Sequence, residues 1–580
     1  MPALVLSLTT LNANTPPPPD YYAANLRGVV AHLSQHQAEL LGVSAARDLT
    51  RIMGLTEQPL RLLARLITRS TPVVRVDSLN YDEIADTQTA LAELVKQALV
   101  EVNPPVATDL LLARLRVAEI RLAFPSRQAR CKTKQALLEM VVDHYGEDQV
   151  QAIIGARISW VHLRCRDSLQ RMLIAYFGSA RGDFSDFVIR DLGLVKFEGY
   201  PIDANCRVFA TAADMQRYLD LRALVRLPHH QRLAALPWLR GFLCQTSSTT
   251  SAPSLANPDL QRRWDRLLIA WGRDFERGSD DDTALQCYGL AEAHPARERQ
   301  VRILQKRVKS AKSSKARRPI EPTEAHSPIA PSDPAVAAQQ LLQNMVVQPH
   351  CLTEALFARK QIAPGEKTAG TGVPWPETVW RVAKGSYPRV EQRVLEALVS
   401  NGGVGWHVEN ALFTTLLGLA FWECLFAPIP GMFSHPFQSG PRDLFWPDFR
   451  ARRKDLFKQR FDELSKPGAL WRQIRRIVTD RFGVSCSLVN WSVASPSVLA
   501  AVQRSMRPEQ LLQIFDYMLR DLQQTRTGLP DLFLSYAPGR FELVEVKGPG
   551  DQLQPNQRVW LAALVDMQIP CRVVSLRSAG

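Results

Sequence analysis

Cysteine is scarce and scattered in this sequence. The nine in 580 residues stand at Cys131, Cys165, Cys206, Cys244, Cys287, Cys351, Cys424, Cys486 and Cys571, with no close pairs. That spacing argues against a zinc site and against a disulfide framework, and it fits a reducing compartment. Long apolar runs are lacking too. The longest, residues 411–428, contains Glu423 and two threonines, so it reads as a buried core helix and not a membrane span. The opening MPALVLSLTT lacks a basic n-region and makes a poor signal peptide. Acidic residues are in deficit, 57 against 71 Lys and Arg, for a formal net charge of +14. A basic excess favours polyanionic partners, because each phosphate neutralised by a cation releases counterions. The plain alternative is a generically basic soluble protein.

Hydrophobic residues make up 46% of the chain, enough to bury sizeable cores. At roughly 100–200 residues per domain, the length suggests about three to five domains. Composition and patterning divide the chain into four parts: 1–110, 111–235, 236–370 and 371–580. The first is mostly helical after a stiff proline stretch, with Leu60, Leu63, Ala64 and Ile67 at helical spacing. His32 and His36 in it stand at i and i+4, a metal-pair spacing, but no carboxylate or third ligand follows nearby and a surface helix explains them. In the second, Arg127, Arg130, Lys132 and Lys134 precede an apolar helix at Ala136–Leu137–Leu138–Met140–Val141. A basic turn entering a helix suits phosphate contact, since cations and backbone N–H groups converge there. Residues 188–200 read as strands turning at Gly193.

Residues 245–258 (QTSSTTSAPSLANP) form a linker by composition. Helical hairpins follow, one helix carrying Arg263, Trp264, Leu267, Leu268 and Trp271, a second over 284–293. This pairing resembles tetratricopeptide-type repeats, without a clean 34-residue period. Then comes the strongest charge run. Arg297, Arg299, Arg302, Lys306, Arg307, Lys309, Lys312, Lys315, Arg317 and Arg318 have only Glu298 among them. It reads either as a phosphate-binding face or as a solvated surface run. A Pro-rich linker occupies residues 319–334, and residues 373–580 read as α/β.

The chemistry sits near the C-terminus. Gly528–Leu529–Pro530–Asp531–Leu532 precedes Phe541–Glu542–Leu543–Val544–Glu545–Val546–Lys547–Gly548. The interval accommodates a tight hairpin. Alternation along a strand puts Glu545 and Lys547 on one face, and Asp531 can reach that face from the neighbouring strand. Phosphodiester hydrolysis needs this set. Two carboxylates hold a hard divalent cation that screens the phosphate and acidifies bound water. A lysine beside it can orient or deprotonate that water and neutralise developing charge. The Val546 carbonyl, between the two side chains, could be a further oxygen ligand. The alternative is a surface hairpin with a Glu–Lys pair. Against it, the Glu–Val–Lys lies in an apolar strand, where unpaired charge is costly.

GLPDLFL, FELVEVKGPGDQLQPNQRVWLAAL and CRVVSL resemble the VRR-nuc type of the PD-(D/E)XK nuclease superfamily. VGWHVENALFTTLLGLAFWECLF resembles the helical lead-in of the Fanconi-associated nuclease family, and VIRDLGLVKFEGYPIDANCRVFATAADMQRYL its DNA-binding region. RRWDRLLIAW with HPARERQVRIL resembles its helical repeats, and residues 130–146 look like a diverged SAP-type helical pair. No zinc-finger pattern precedes these, so the sequence is more like the compact bacterial members. The resemblance implies a multi-domain protein, mainly α with α/β. A helical N-terminal region would come first, then a SAP or winged-helix-like DNA-binding region, TPR-like helical repeats, and a C-terminal PD-(D/E)XK α/β nuclease domain with a mixed sheet.

The same resemblance implies a structure-specific DNA nuclease that cuts near a 5′ flap and trims 5′ ends, in repair of interstrand crosslinks. Its cofactor would be Mg²⁺ or Mn²⁺, as one ion or two, and its partner branched or flapped DNA, with no membrane. Asp531 and Glu545 would be metal ligands, Val546 would lend its carbonyl, and Lys547 would be the catalytic lysine. Glu409 aligns with the family's upstream acidic ligand, which comes from a helix, although Val408 and Asn410 replace the glycines of a His-Gly-Glu-Gly pattern. Gln557 would lie beside the metal. Arg297, Arg299 and Arg302 are candidates for a 5′-phosphate pocket, and Lys132 and Lys134 for DNA contact. A bacterial member would meet DNA in the cytoplasm, on the nucleoid, and a eukaryotic one in the nucleus. The oligomeric state stays open, a monomer included. The competing readings are a VRR-nuc junction resolvase or other nuclease, and an inactive DNA-binding scaffold. The long N-terminal two-thirds argues against the short, dimeric resolvases. Intact Asp531, Glu545 and Lys547 argue against the scaffold.

Overall fold

The structure, a computed structural model, describes residues 20–69, 71–125, 133–180, 195–202, 207–244, 257–315, 333–362, 375–382, 390–400 and 402–578. Lys132, Arg127, Arg130, Arg317 and Arg318 lie outside the described residues, as do the side chains of Lys312 and Lys315. Two compact units emerge: residues 1–215 with 433–437, and residues 216–432 with 438–580.

The first unit opens with helices Tyr21–His36, Gly42–Met53 and Glu57–Ile67. The last buries Leu60, Leu63 and Ala64 on one face, the spacing its sequence carries. His32 is half-buried edge-on against Tyr176, and burial and His36 push its imidazole down to about 4. A small antiparallel sheet follows, with β1 (Val73–Arg75), β2 (Val100–Val102) and β3 (Trp160–Leu163) in the order β1-β3-β2. Helices Lys134–His144 and Glu147–Gly155 form a pair around Leu137, Val141, Val150 and Ile154. The first starts where the basic turn predicts, because Thr133 Oγ1 accepts from Ala136 N at 3.2 Å. Residues 195–202 contain only an isolated bridge at Lys196, and 188–194 lie outside the described residues.

The second unit begins its repeats with Pro258–Arg277, Asp281–Leu290, Ala296–Lys315, Pro334–Val347 and Leu352–Ile362. Asn257 caps the first, its Oδ1 accepting from Asp259 N at 3.0 Å, with Pro258 at the first helical position. Trp264, Leu267, Leu268, Trp271 and Phe275 form its buried face. At Gly272 the next helix comes so close that a Cβ would lie 2.5 Å from the Tyr288 ring.

The rest of this unit is built on a five-stranded mixed sheet: β4 (Glu377–Val382), β5 (Val404–His407), β6 (Leu532–Ala537), β7 (Arg540–Lys547) and β8 (Cys571–Ser578). Its order is β4-β8-β7-β6-β5. The β5–β6 and β6–β7 pairs are antiparallel, and β8 runs parallel to both β7 and β4. Parallel pairing needs a crossover, supplied between β7 and β8 by helix Pro555–Asp566. Leu532, Leu534, Val544, Val546 and Val574 pack against Val394, Leu395 and Leu398 of helix Val390–Val399. The apolar run, read as one helix over 411–428, forms the largely buried helix Ala411–Ala420, breaks at Phe421 and continues as the short helix Trp422–Leu425 before leaving helical structure. No helix among the described residues is long and apolar enough to cross a membrane. Between that helix and β6 the chain inserts helices including Lys454–Leu464, Ala469–Arg481, Pro496–Ser505 and Pro508–Met518. The insert is anchored by Arg453, wholly buried on Asp443 at 2.7 and 2.9 Å.

Candidate active site

The β6–β7 hairpin sets the site. Leu532 pairs with Val544, so the preceding Asp531 stands opposite Glu545 at the hairpin's open end. The Val side chains of β7 enter the core, and alternation turns Glu545 and Lys547 to the other face. Asp531 is fixed from its own strand's neighbour, its Oδ2 accepting from Val546 N at 2.8 Å. The loop before it is tight. Gly528 has φ +89°, and a Cβ there would meet the Asn556 backbone at 2.8 Å, so the loop seats directly on the start of helix Pro555–Asp566.

Glu545 is fully buried. Lys547 Nζ lies 2.8 Å from Glu545 Oε1 as an ion pair. Neither carboxylate oxygen has an aligned hydrogen-bond partner among the described residues. A buried carboxylate left so is expensive, and its environment shows the cost. Burial first, then the Asp531 charge, and more weakly Glu409, push Glu545 up to about 7, while Lys547 pulls the other way. Burial also raises Asp531, opposed by the Val546 N–H and by Lys547 and His407, and reinforced by Glu391. Two carboxylates face to face with raised protonation and open lone pairs are a ready receptor for a hard cation, which would relieve both effects.

Glu409 departs from expectation in its setting. It lies on the turn between β5 and helix Ala411–Ala420, not within a helix. Its backbone has φ +39°, in the left-handed region a Cβ disfavours. Val408 N and Glu409 N both donate to Asp531 O at 2.9 Å, which joins this turn to the β6–β7 hairpin. The side chain is exposed, so among the described residues no three His, Cys, Asp or Glu groups close into a preformed cage. A hard divalent cation that keeps waters and substrate oxygens needs only one or two protein carboxylates.

The other expected residues fall as follows. Gln557 is occupied at a helix start, its Oε1 accepting from Gln554 N at 2.8 Å. Lys134 donates to Ala113 O at 3.1 Å. Arg297 is half of a bidentate pair with Glu354, Nε to Oε1 at 3.0 Å and Nη2 to Oε2 at 2.6 Å, and Glu354 is wholly buried. Arg299 faces Glu276 at 3.3 Å and Arg302 faces Glu298 at 2.5 Å. Lys306 and Arg307 pair with Asp281 and Asp282. The charge run is therefore opposed in space, by Glu298 within its own helix and by acids from neighbouring helices, where the sequence shows it nearly unopposed. Of the residues near the carboxylates, Glu391 escaped sequence reasoning, while His407 and Asn410 stood in the sequence only as part of the pattern around Glu409. Glu391 opens an ordinary amphipathic helix, so no local pattern marks it.

Comparison with known proteins decides the family. The chain is 31% identical to the Fanconi-associated nuclease 1 homolog of Pseudomonas aeruginosa (strain PAO1) over 579 residues, 98% of each chain. It belongs to the Fanconi-associated nuclease family. A family model described as VRR-NUC domain matches residues 465–578, and one described as FAN1, HTH domain matches residues 20–101. The second fills the part of the chain whose sequence suggested only helices. The homolog from Oryza sativa subsp. japonica is 23% identical, over 94% of this chain and 61% of its own length. A crystal structure of paFAN1 bound to 5′-flap DNA with a gap superposes with a TM-score of 0.80 at 28% identity, covering 98% of this chain and 100% of that one. As a Fanconi-associated nuclease with a VRR-nuc domain, the chain is a divalent-metal-dependent hydrolase of DNA phosphodiester bonds.

The raised Glu545 gives this nuclease a pH signature. A carboxyl whose folded value of about 7 exceeds its ordinary 4.5 stabilises the metal-free fold at low pH, and that contribution is lost as pH rises through about 7. A bound divalent cation would reverse the loss, because it requires the ionised form. The thermal midpoint gained from millimolar Mg²⁺ or Mn²⁺ is therefore expected to be small at about pH 6 and larger at about pH 8. A gain independent of pH would contradict this assignment of Glu545.

Proposed function

We propose that this protein is a structure-specific DNA nuclease that cuts near 5′ flaps and trims 5′ ends, with Mg²⁺ or Mn²⁺ as cofactor, in interstrand crosslink repair. The observation that carries the reading is the buried Glu545 carboxylate opposite Asp531, with no aligned hydrogen bond among the described residues and Lys547 Nζ 2.8 Å from its Oε1. The relative seen with a gapped 5′-flap DNA supplies the substrate class. In this reading Asp531 and Glu545 hold the cation, with the Val546 carbonyl as a neutral ligand and Glu409 as a third carboxylate. The bound cation would screen the phosphate and acidify a water. Val546 N–H, by holding Asp531 Oδ2, leaves Oδ1 for ligation. Lys547 balances the buried carboxylate charge before substrate arrives and can then turn its ammonium to a phosphate oxygen. The regions 1–110, 111–235 and 236–370 would grip duplex DNA and feed one strand to 371–580. In a bacterial cell that DNA is the nucleoid.

Labelled 5′-flap, 3′-flap, four-way-junction and plain duplex DNAs of matched sequence, incubated with the protein and Mg²⁺ or Mn²⁺, test it. Cutting is expected to be fastest on the 5′ flap. Preference for the four-way junction would replace this reading with a resolvase, and binding without cutting of any substrate would replace it with a scaffold.

A further inference from the structure

Asn410 follows Glu409 on the turn into helix Ala411–Ala420 and is half-buried. Its amide works in two directions. Nδ2 donates to Glu409 Oε1 at 3.2 Å, and Oδ1 accepts from Leu529 N at 3.1 Å. Leu529 lies in the loop that delivers Asp531. With the bonds from Val408 N and Glu409 N to Asp531 O, three hydrogen bonds stitch the 408–410 turn to residues 529–531. Two of them hold backbone alone. Only the Asn410 amide reaches a carboxylate as well.

We propose that Asn410 is a positioning residue that fixes the direction of the Glu409 carboxylate and ties it to the loop carrying Asp531. The inference rests on the nuclease reading above. Glu409 needs such help for a physical reason. It is exposed, and a free Glu side chain samples several rotamers whose loss on binding a cation is unfavourable. An amide that already holds one carboxylate oxygen removes part of that cost and leaves the other oxygen for the cation. Because the amide's acceptor end is engaged by a backbone N–H, the Asn cannot flip without breaking that bond, so the donor end faces Glu409 by necessity. Asn410 touches neither DNA nor cation in this scheme and acts through Glu409.

The test uses the full chain and Mn²⁺ alone as probe, with free Mn²⁺ read by electron paramagnetic resonance. Wild type, Asn410→Ala, Glu409→Gln and the double variant form a cycle. Asn410→Ala is expected to weaken Mn²⁺ binding roughly tenfold. It should lower kcat at limiting metal by a similar factor, recovered in excess metal, with KM for the 5′ flap unchanged. In the Glu409→Gln background the same change should cost nothing further. Asn410→Gly, at a turn that glycine tolerates, is the second variant and should match Asn410→Ala if the amide is what matters. Mn²⁺ affinity unchanged in both variants would overturn the proposal, as would an equal loss in the Glu409→Gln background. Wild type that neither binds Mn²⁺ nor cuts DNA would overturn the nuclease reading itself, a result the cycle distinguishes from failure of Asn410 alone.

Discussion

Glu545→Gln is expected to lower the single-turnover rate on 5′-flap DNA by roughly 10²–10³-fold or more, with flap affinity within about twofold of wild type. The substitution keeps shape and volume and removes only the charge. Its cost therefore isolates the carboxylate from the packing around a wholly buried side chain. The same change should raise the thermal midpoint of the metal-free protein at about pH 8, since burial and the Asp531 charge disfavour the ionised carboxyl, pushing it up to about 7 despite the Lys547 ion pair at 2.8 Å. Opposite movements of activity and stability are the mark of a functional charge kept against the fold's interest. Quench-flow cleavage and thermal melts on one preparation measure both. Cleavage within tenfold of wild type would remove Glu545 from the reaction, and unchanged cleavage with lowered stability would make it a structural residue.

Arg297→Ala is expected to destabilise the second unit by about 3–5 kcal/mol, the cost of leaving a buried carboxylate uncompensated. Glu354 has no exposed side-chain area and takes two bonds from Arg297, which also donates to Gln348 O at 2.9 Å. Arg302, half exposed on Glu298, is expected to behave otherwise, with a stability change within about 0.5 kcal/mol and a weaker, less salt-sensitive grip on DNA. Denaturant unfolding separates the two. If Arg297→Ala kept its stability and instead lost preference for a 5′-phosphorylated end, the phosphate-pocket role that position in the repeats implies would be restored.

The two arginines show where sequence reasoning runs out. A charge run is visible in one dimension, but its opposition is not. Glu276, Asp281, Asp282 and Glu354 come from other helices, and only packing brings them to Arg299, Lys306, Arg307 and Arg297. The hairpin was legible for the opposite reason. Its information is local, with strand alternation and a short loop fixing Asp531, Glu545 and Lys547 within one supersecondary unit. Glu409 stands between these cases. Its identity was readable from the surrounding motif, yet its placement on a left-handed turn is dictated by hydrogen bonds to a segment far along the chain. Asn410 was visible only as a departure from a glycine pattern, and its two partners explain why a side chain with an amide is held there. The first helices carried clear periodicity, but periodicity gives a buried face and not a fold name, so the helix-turn-helix match over residues 20–101 came from comparison.

The position of β8 also bears on how the enzyme is made. This strand alone joins β4 to the β5–β6–β7 side of the sheet, and it pairs in parallel on both flanks. A ribosome delivers the chain from its N-terminus, so the repeats, Glu409 and the whole helical insert leave the exit tunnel before β8 exists. At about 5–20 residues per second, the upstream carboxylate waits on the order of ten seconds or more for the strand that completes the sheet beneath it. The sheet beneath the site is thereby the last part of this unit to be completed. A product lacking β8 would leave the strand that carries Glu545 and Lys547 as an unpaired sheet edge.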